Sequence, residues 1–422
     1  MEQAVAYSTL GLTVSLAVLR PRLGSLGRFT PGGAALVGVV ALFATRLLSF
    51  EQMLDAARLQ WRPLIALTSI MVITGVVQEV GAIDRLVAWI EQRARTRSAA
   101  WTFTVVFAIS VITPALLNND AAILMLTPIV VALTRRLYPK QPAITVAFAF
   151  AVFLAPGVAP FIVSNPMNMI VAEFAGLDFN SYALVMLPIS LAGAALTYVI
   201  LRWRYREALG QAVIAVVPTT TVHRHPAERP AVLLMLAVFV AYPVAASVGI
   251  EIWSVAFAGA LASLALCRLY RVAPLRKATS HVSIDILIFL WGIFLVVQGL
   301  RGVGVVDWLA GVYARPMPGS GGELATVGVT SALGSALIDN HPMSILNMLA
   351  IDGAHAPWLL LAALVGGDIG PRLLPIGSLA GLLWIDLLRR AGVEIGVVRF
   401  VRVGTLVLLP TMVVSMLMLW LM

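Results

Sequence analysis

Two short polar islands interrupt otherwise apolar stretches of this chain: Leu116-Leu117-Asn118-Asn119-Asp120 and Leu337-Ile338-Asp339-Asn340-His341, 221 positions apart. Long apolar stretches meet lipid, where every backbone N–H and C=O must be satisfied within the segment, so these runs read as helices. Charge inside such helices is costly and marks function by default. Downstream of each island lies a second interrupted apolar segment, Ser164-Asn165-Pro166-Met167-Asn168 in the first half and Gly366-Gly367-Asp368-Ile369-Gly370-Pro371-Arg372 through Gly377-Ser378 in the second. Paired interruptions of this kind point to the substrate site of a transporter.

Composition narrows the class further. Sixty per cent of residues are hydrophobic and 12 per cent charged, against roughly 45 to 50 per cent apolar in a soluble domain. A chain of 422 residues divided into runs of about 20 supplies about ten crossings, leaving no room for a soluble catalytic domain. The fold class expected is an all-α polytopic membrane protein with about ten transmembrane helices plus two re-entrant helical hairpins in two inverted repeats. Met1-Glu2-Gln3-Ala4 lacks the basic start of a secretory signal, so the first helix is expected to be retained. The single cysteine, Cys267, permits no internal disulfide and no multi-thiolate metal site.

The net charge of +9 would suit nucleic acid, yet the basic residues sit in short loops between apolar spans, as membrane orientation requires. With the N-terminus outside, most of the 29 basic residues fall in inner loops, leaving Arg46, Arg58, Arg62, Arg301 and Arg315 outside and Arg372 at depth. This predicts both termini outside. Residues 101–134 would be roughly 51 Å long as one helix, too long for one crossing and too short for two. Arg93, Arg95 and Arg97 precede them and Arg135, Arg136 and Lys140 follow. Both ends therefore face inward, and the segment is expected to enter and return with Asn118, Asn119 and Asp120 at its tip. Residues 323–352 carry no Lys or Arg and are expected to form the outward-side counterpart, with Asp339, Asn340 and His341 at the tip. Asp84–Ile90 and Val306–Leu309 mix charge with Trp and read as interfacial helices.

The resulting division is an N-terminal repeat, 1–201, with a broken span at 142–176; a cytoplasmic linker, 202–229; and a C-terminal inverted repeat, 230–422, with a broken span at 357–388. The linker holds Pro218, Thr219, Thr220, Thr221, His223 and His225, and its histidines lack the spacing of a metal ligand set.

The tip residues are good helix caps, but capping alone requires neither three polar residues in lipid nor an equivalent set 221 positions on. Prolines in the broken spans free backbone carbonyls, whereas a kink requires none of Asn165, Asn168, Asp368, Arg372 or Ser378. The candidate substrate-binding residues are therefore Asn118, Asn119, Asp120, Ser164, Asn165, Asn168, Asp339, Asn340, His341, Gly377 and Ser378. Those for proton coupling are Asp120, Asp339, His341, Asp368 and Arg372, because acids under opposing influences and an imidazole exchange protons near neutrality. Arg372 is expected to pair with Asp368 one helical turn away, and Glu79, Arg46 and Glu173 to snorkel to the surface.

Asn119-Asp120-Ala121-Ala122-Ile123-Leu124, Ile162-Val163-Ser164-Asn165, Gly367-Asp368-Ile369-Gly370-Pro371-Arg372 and Pro375-Ile376-Gly377-Ser378-Leu379-Ala380 together resemble the arsenite permeases of the ArsB type, within the ion transporter superfamily. The likeness runs over essentially the whole chain. It implies efflux of trivalent arsenite and antimonite from the cytoplasm, driven by inward proton flow across a bacterial or archaeal inner membrane, sometimes with a soluble arsenite-stimulated ATPase as partner. No cofactor, enzyme activity or nucleic-acid partner is implied. Family tips usually read Ala-Asn-Asp and Asn-Asn, so the acid Asp339 and the imidazole His341 are departures.

Arsenite at neutral pH is mainly an uncharged trihydroxide, and Asn amides and Asp oxygens match its donors and acceptors. Binding through soft thiolates would need more sulfur than Cys267 supplies. The rival readings are a sodium/proton antiporter or a sodium-coupled anion carrier of the same superfamily, since carboxylates and broken-helix carbonyls also suit Na⁺. An intramembrane aspartyl protease is a further class, but Val365 occupies the first glycine position of its Gly-x-Gly-Asp signature and no paired Tyr-Asp occurs. The expected mechanism is a mobile domain of both hairpins and both broken spans carrying substrate past a scaffold.

Overall fold

The computed structural model describes residues 2–21, 29–215, 224–301, 303–351 and 356–422; the side chains of Glu2, Val18, Asp120 and Leu275 also lie outside the description. Of the linker residues singled out above, Pro218, Thr219, Thr220, Thr221 and His223 fall outside the described residues. The described residues form helices and no strands, as the demand for internally satisfied backbone in lipid dictates.

Four helices open the chain: α1 (Glu2–Leu19), α2 (Pro31–Ala44), α3 (Phe50–Glu79) and α4 (Ala82–Ala94). A helical pair follows, α5 (Ala99–Leu116) and α6 (Asn119–Leu137), joined only by Leu117 and Asn118. Next come α7 (Pro142–Leu154), α8 (Pro166–Ala175), α9 (Phe179–Arg204) and the short α10 (Arg206–Gly210). The second half begins with α11 (Glu228–Ser247), α12 (Ile252–Leu269), the short α13 (Leu275–Thr279), α14 (Ile284–Gln298) and α15 (Val305–Tyr313). A second pair, α16 (Gly321–Ile338) and α17 (Asn340–Ala350), is joined at Asp339, and α18 (Pro357–Ile369), α19 (Leu379–Arg390) and α20 (Val397–Leu421) complete the chain. Among the described residues eight helices are long and apolar enough to cross a membrane, by length and composition, and α2 and α7 are shorter apolar helices. The chain is therefore an all-helical polytopic membrane protein.

Both broken spans are irregular where the sequence carries proline and glycine. After α7 the backbone is non-helical to a turn at Ile162–Ser164, then extended at Asn165 before α8 starts. After α18 there are two single turns, Gly370–Arg372 and Pro375–Gly377, and Ser378 is extended before α19. Two helices that are hydrophobic all round, α7 and α18, are buried nearly throughout, from Ile144 to Leu154 and from Leu360 to Gly367. A helix apolar on every face either meets lipid or fills a core; these two fill the core. By contrast α11 and α12 bury only one stripe each.

Close helix packing here relies on absent side chains. A Cβ on Gly366 of α18 would come within 2.1 Å of the Gly328 carbonyl oxygen of α16, so α16 and α18 approach backbone to backbone, as small residues permit in lipid. Ser331 Oγ of α16 then donates to the Ala363 carbonyl at 2.6 Å.

At the surface, α4 is held at both ends by charge: Arg85 pairs with Glu228 at 2.7 Å and Glu91 with Arg136 at 3.0 Å. The expectation that Glu79 snorkels is corrected. It ends α3 with its side chain mostly buried, bonded to Lys277 at 2.7 Å and His281 at 3.0 Å, and a buried carboxylate is tolerable because both partners are cationic or polar. Glu173 is exposed, as expected, and pairs there with Arg62, which also reaches Glu251.

Candidate functional site

Four half-helices begin near the middle of the fold, and each beginning is capped by the residue before or at the break. Asn118 Oδ1 accepts from Ala121 N at 3.3 Å, and Asp339 Oδ1 accepts from His341 N at 2.9 Å. Asn165 Oδ1 accepts from Met167 N at 3.1 Å, and Ser378 Oγ accepts from Gly381 N at 3.0 Å. Each of these satisfies one of the orphan N–H groups of a helix start. Capping is thus a real role for Asn118, Asp339, Asn165 and Ser378.

The next residue at each tip is used differently. Asn119 and Asn340 open α6 and α17, and the amide oxygens of both are buried with no hydrogen-bond partner among the described residues. Both residues line one small cavity, about 30 Å³, with Ile123, Phe153, Pro156, Gly157, Asp368, Pro371, Arg372, Ser378 and Ala380. That volume holds one or two waters. Buried acceptors left without donors call for an explanation, and a ligand carrying hydroxyls supplies one.

Asp368, near the end of α18, is the acceptor centre. Its Oδ1 takes Asn165 Nδ2 at 2.8 Å; its Oδ2 takes Ala159 N at 2.9 Å and Asn168 Nδ2 at 3.2 Å. The carboxylate of one half is thereby held by three donors from the break of the other. Asn168 Nδ2 also donates to Tyr182 Oη at 2.6 Å, and Tyr182 in turn donates to the Ala159 carbonyl at 3.1 Å. Asn168 is fully buried and its Oδ1 has no partner among the described residues.

Arg372 is 3% exposed, and its partners correct the expected pairing. One guanidinium nitrogen donates to the Leu154 carbonyl at 2.6 Å and another to Thr411 Oγ1 at 3.1 Å. Among the described residues no ion pair within 4.0 Å joins it to Asp368. The helical register needed for an i, i+4 pair stops at Ile369, where α18 gives way to the Gly370–Arg372 turn. Leu154 ends α7, so the cation sits at that helix's carbonyl end, where positive charge is favoured. A Cβ on Gly157 would lie 2.7 Å from the guanidinium, and Gly157 has φ +55°, a conformation that favours glycine; the first break is shaped around the arginine of the second.

The remaining predicted residues whose side chains are described lie away from this cavity. The Asp120 side chain lies outside the described residues. Ser164 Oγ donates to the Ala115 carbonyl at 3.0 Å, satisfying the end of α5. Gly377 packs against Pro371 and Ala336, where a Cβ would come within 3.0 Å of both. His341 Nδ1 lies 2.7 Å from Asp339 Oδ1, and its ring meets Phe289 of α14 edge-on at 5.4 Å between centroids. Asp339, at φ +80°, borders a separate crevice with Phe289 and Ile293. A larger cavity, about 330 Å³, reaches Asn118 between the tip, the ends of α1 and α3 and the start of α14, with Gln78, His281 and Asp285 on its wall.

Sequence reasoning missed Tyr182, Thr411, the Ala159 amide and Phe153, which stacks on Trp384 at 4.8 Å. Tyr182 and Thr411 sit in helices whose apolar character gives no local sign of a partner.

A family model described as a citrate transporter, CitMHS, matches residues 23–367. The chain is 29% identical over 417 residues to the arsenical pump membrane protein of Escherichia coli strain K12, covering 96% of this chain and 95% of that one. It is 27% identical over 424 residues to the protein of the same description from Yersinia enterocolitica, covering 98% and 97%. In shape it is similar to the crystal structure of the Alcanivorax borkumensis YdaH transporter, with a TM-score of 0.60 at 14% identity over 99% of this chain and 96% of that one. With broken helices meeting at a buried polar centre and a family match over most of its length, the chain is a membrane transporter belonging to the CitMHS citrate transporter family.

Proposed function

We propose that the protein exports trivalent arsenite and antimonite from the cytoplasm, exchanging them for protons. The observation that carries this reading is the pair of partnerless amide oxygens on Asn119 and Asn340 beside one small cavity that also takes in Asp368. An uncharged trihydroxide offers hydroxyl donors to the two amide oxygens and hydroxyl oxygens to the Asn119 and Asn340 amide N–H groups. The naming of near relatives as arsenical pump membrane proteins supports the same substrate. The family's citrate description suits the cavity less well: a tricarboxylate needs several free cations, and the one arginine present is engaged with Leu154 and Thr411.

Proton coupling is assigned first to Asp368. Its three N–H donors suit the carboxylate, and a protonated Asp368 needs an acceptor in place of one of them. Reorienting the Asn168 amide would present its partnerless Oδ1 to that proton. Protonation therefore loosens the bond between the two breaks, and substrate and proton alternate through it. The Asp339–His341 pair and Asp120 are assigned a second proton step at the tips. The helical pairs and broken spans move together past α1–α3, α11, α12 and α14, with both termini outside.

Everted membrane vesicles test this directly. Arsenite uptake should rise with an inside-acid gradient and collapse with a protonophore, with citrate and Na⁺ gradients without effect. Uptake of citrate, or arsenite transport that follows Na⁺ alone, refutes the proposal.

A further inference from the structure

Away from the central site, α6 and α20 form the walls of a second polar cavity of about 400 Å³ at the helix ends. It is lined by Arg135 and Tyr138 from the end of α6, by Lys140, Gln141 and Thr145 across the turn into α7, and by Gly392, Glu394 and Arg399 around the start of α20. Three cations from two distant stretches of sequence thus face one hollow with a single acid. None of Arg135, Lys140 and Arg399 makes an ion pair within 4.0 Å among the described residues, while adjacent Arg136 is paired with Glu91 and nearby Arg390 with Asp386. The two neighbours have found acids; the three in the hollow have not. Two of the neutral polar side chains are already engaged, Gln141 through both amide atoms with Val213 and Tyr138 Oη as donor to Thr102. Beside the Thr145 hydroxyl and the Glu394 carboxylate, the hydrogen-bonding capacity that remains is the N–H of three cations. The turn at Gly392 brings the chain against Arg135: a Cβ there would lie 3.4 Å from its guanidinium.

We infer that this hollow binds a phosphate group, that of an anionic phospholipid headgroup. Scattered basic residues at helix ends orient a membrane protein without binding anything. Three unpaired cations converging on one concavity are different, because guanidinium forks and an ammonium match phosphate oxygens. Helix ends lie at headgroup level, where an anionic surface attracts each basic residue. The occupant would clamp the end of α6, whose start carries Asn119, to α20, whose Thr411 holds Arg372. The inference is independent of which substrate the transporter carries.

Native mass spectrometry of the purified full chain with phosphatidylglycerol or phosphatidylcholine reads this out. Phosphatidylglycerol should remain bound in preference. Substituting Arg135→Gln, Lys140→Gln and Arg399→Gln together should reduce its retention to the phosphatidylcholine level, roughly fivefold per cation removed. The equally basic and exposed set Arg268→Gln, Arg271→Gln and Arg276→Gln should leave retention intact. Lys140→Glu alone, in an exposed turn, serves where the triple variant melts early. Equal loss in both triple variants, or undiminished retention in the first and in Lys140→Glu, overturns the inference. So does stabilisation by inorganic phosphate without any phosphatidylglycerol retention, which would assign the hollow to a soluble anion.

Discussion

At the two tips, adjacent residues divide two jobs, and mutation separates them. Asn118 and Asp339 cap α6 and α17, so Asn118→Ala should lower stability by about 0.5–2 kcal/mol, visible as a lower thermal midpoint of the purified protein. Asn119 and Asn340 leave their amide oxygens without partners, so Asn119→Ala and Asn340→Ala remove no bond from those atoms. Their thermal midpoints should stay near wild type while arsenite uptake falls at least about tenfold, the loss of one or two hydrogen bonds to substrate. Equal loss of stability in both pairs would mean that all four residues are merely structural. Asp368→Asn replaces an acceptor of three N–H donors by a side chain with one acceptor oxygen, and it should abolish proton-driven uptake.

Helix packing also sets where the second broken span lies. Because α16 and α18 touch backbone to backbone at Gly366, Gly366→Ala must push them apart, displacing Asp368 two residues on. We expect a loss of about 1–3 kcal/mol from overpacking, together with weaker transport, measured by thermal melting and vesicle uptake. The bond between Asp368 and Asn165 joins the two broken spans, so on top of Asp368→Asn the change Asn165→Ala should cost only the cap that it gives Met167, and the combined loss should be less than the sum of the two separate ones. A double-mutant cycle on melting temperature checks this, and additive effects would place the residues in separate networks.

For the molecule as a whole, the sole cysteine simplifies an accessibility test. Cys267 is buried, so thiol reagents should label wild-type protein weakly. Cysteines introduced at Asn119 and at Asn340 should each be labelled, and arsenite should protect both, because the two positions border one cavity. Protection of only one would divide the site between two compartments. Labelling from opposite faces of the membrane would in addition support the inverted arrangement of the two halves.

Several features were legible along the chain because they are local. Long apolar runs with basic loops dictate helices in lipid, Pro156, Gly157, Pro166 and Pro371 mark where those helices break, and Asn118, Asp339, Asn165 and Ser378 are residues that cap. The family likeness was carried by contiguous motifs around Asp120, Asn165, Asp368 and Ser378. Partner choice was not legible. Arg372 was one helical turn from Asp368 on paper, but the helix ends at Ile369 and the guanidinium turns to Leu154 and Thr411, while Asp368 is held by Asn165, Asn168 and Ala159 from about 200 residues away. Local pattern follows from backbone chemistry and solvent, which each segment meets by itself. Which buried donor meets which acceptor depends on how the two halves dock, and only the tertiary structure decides that.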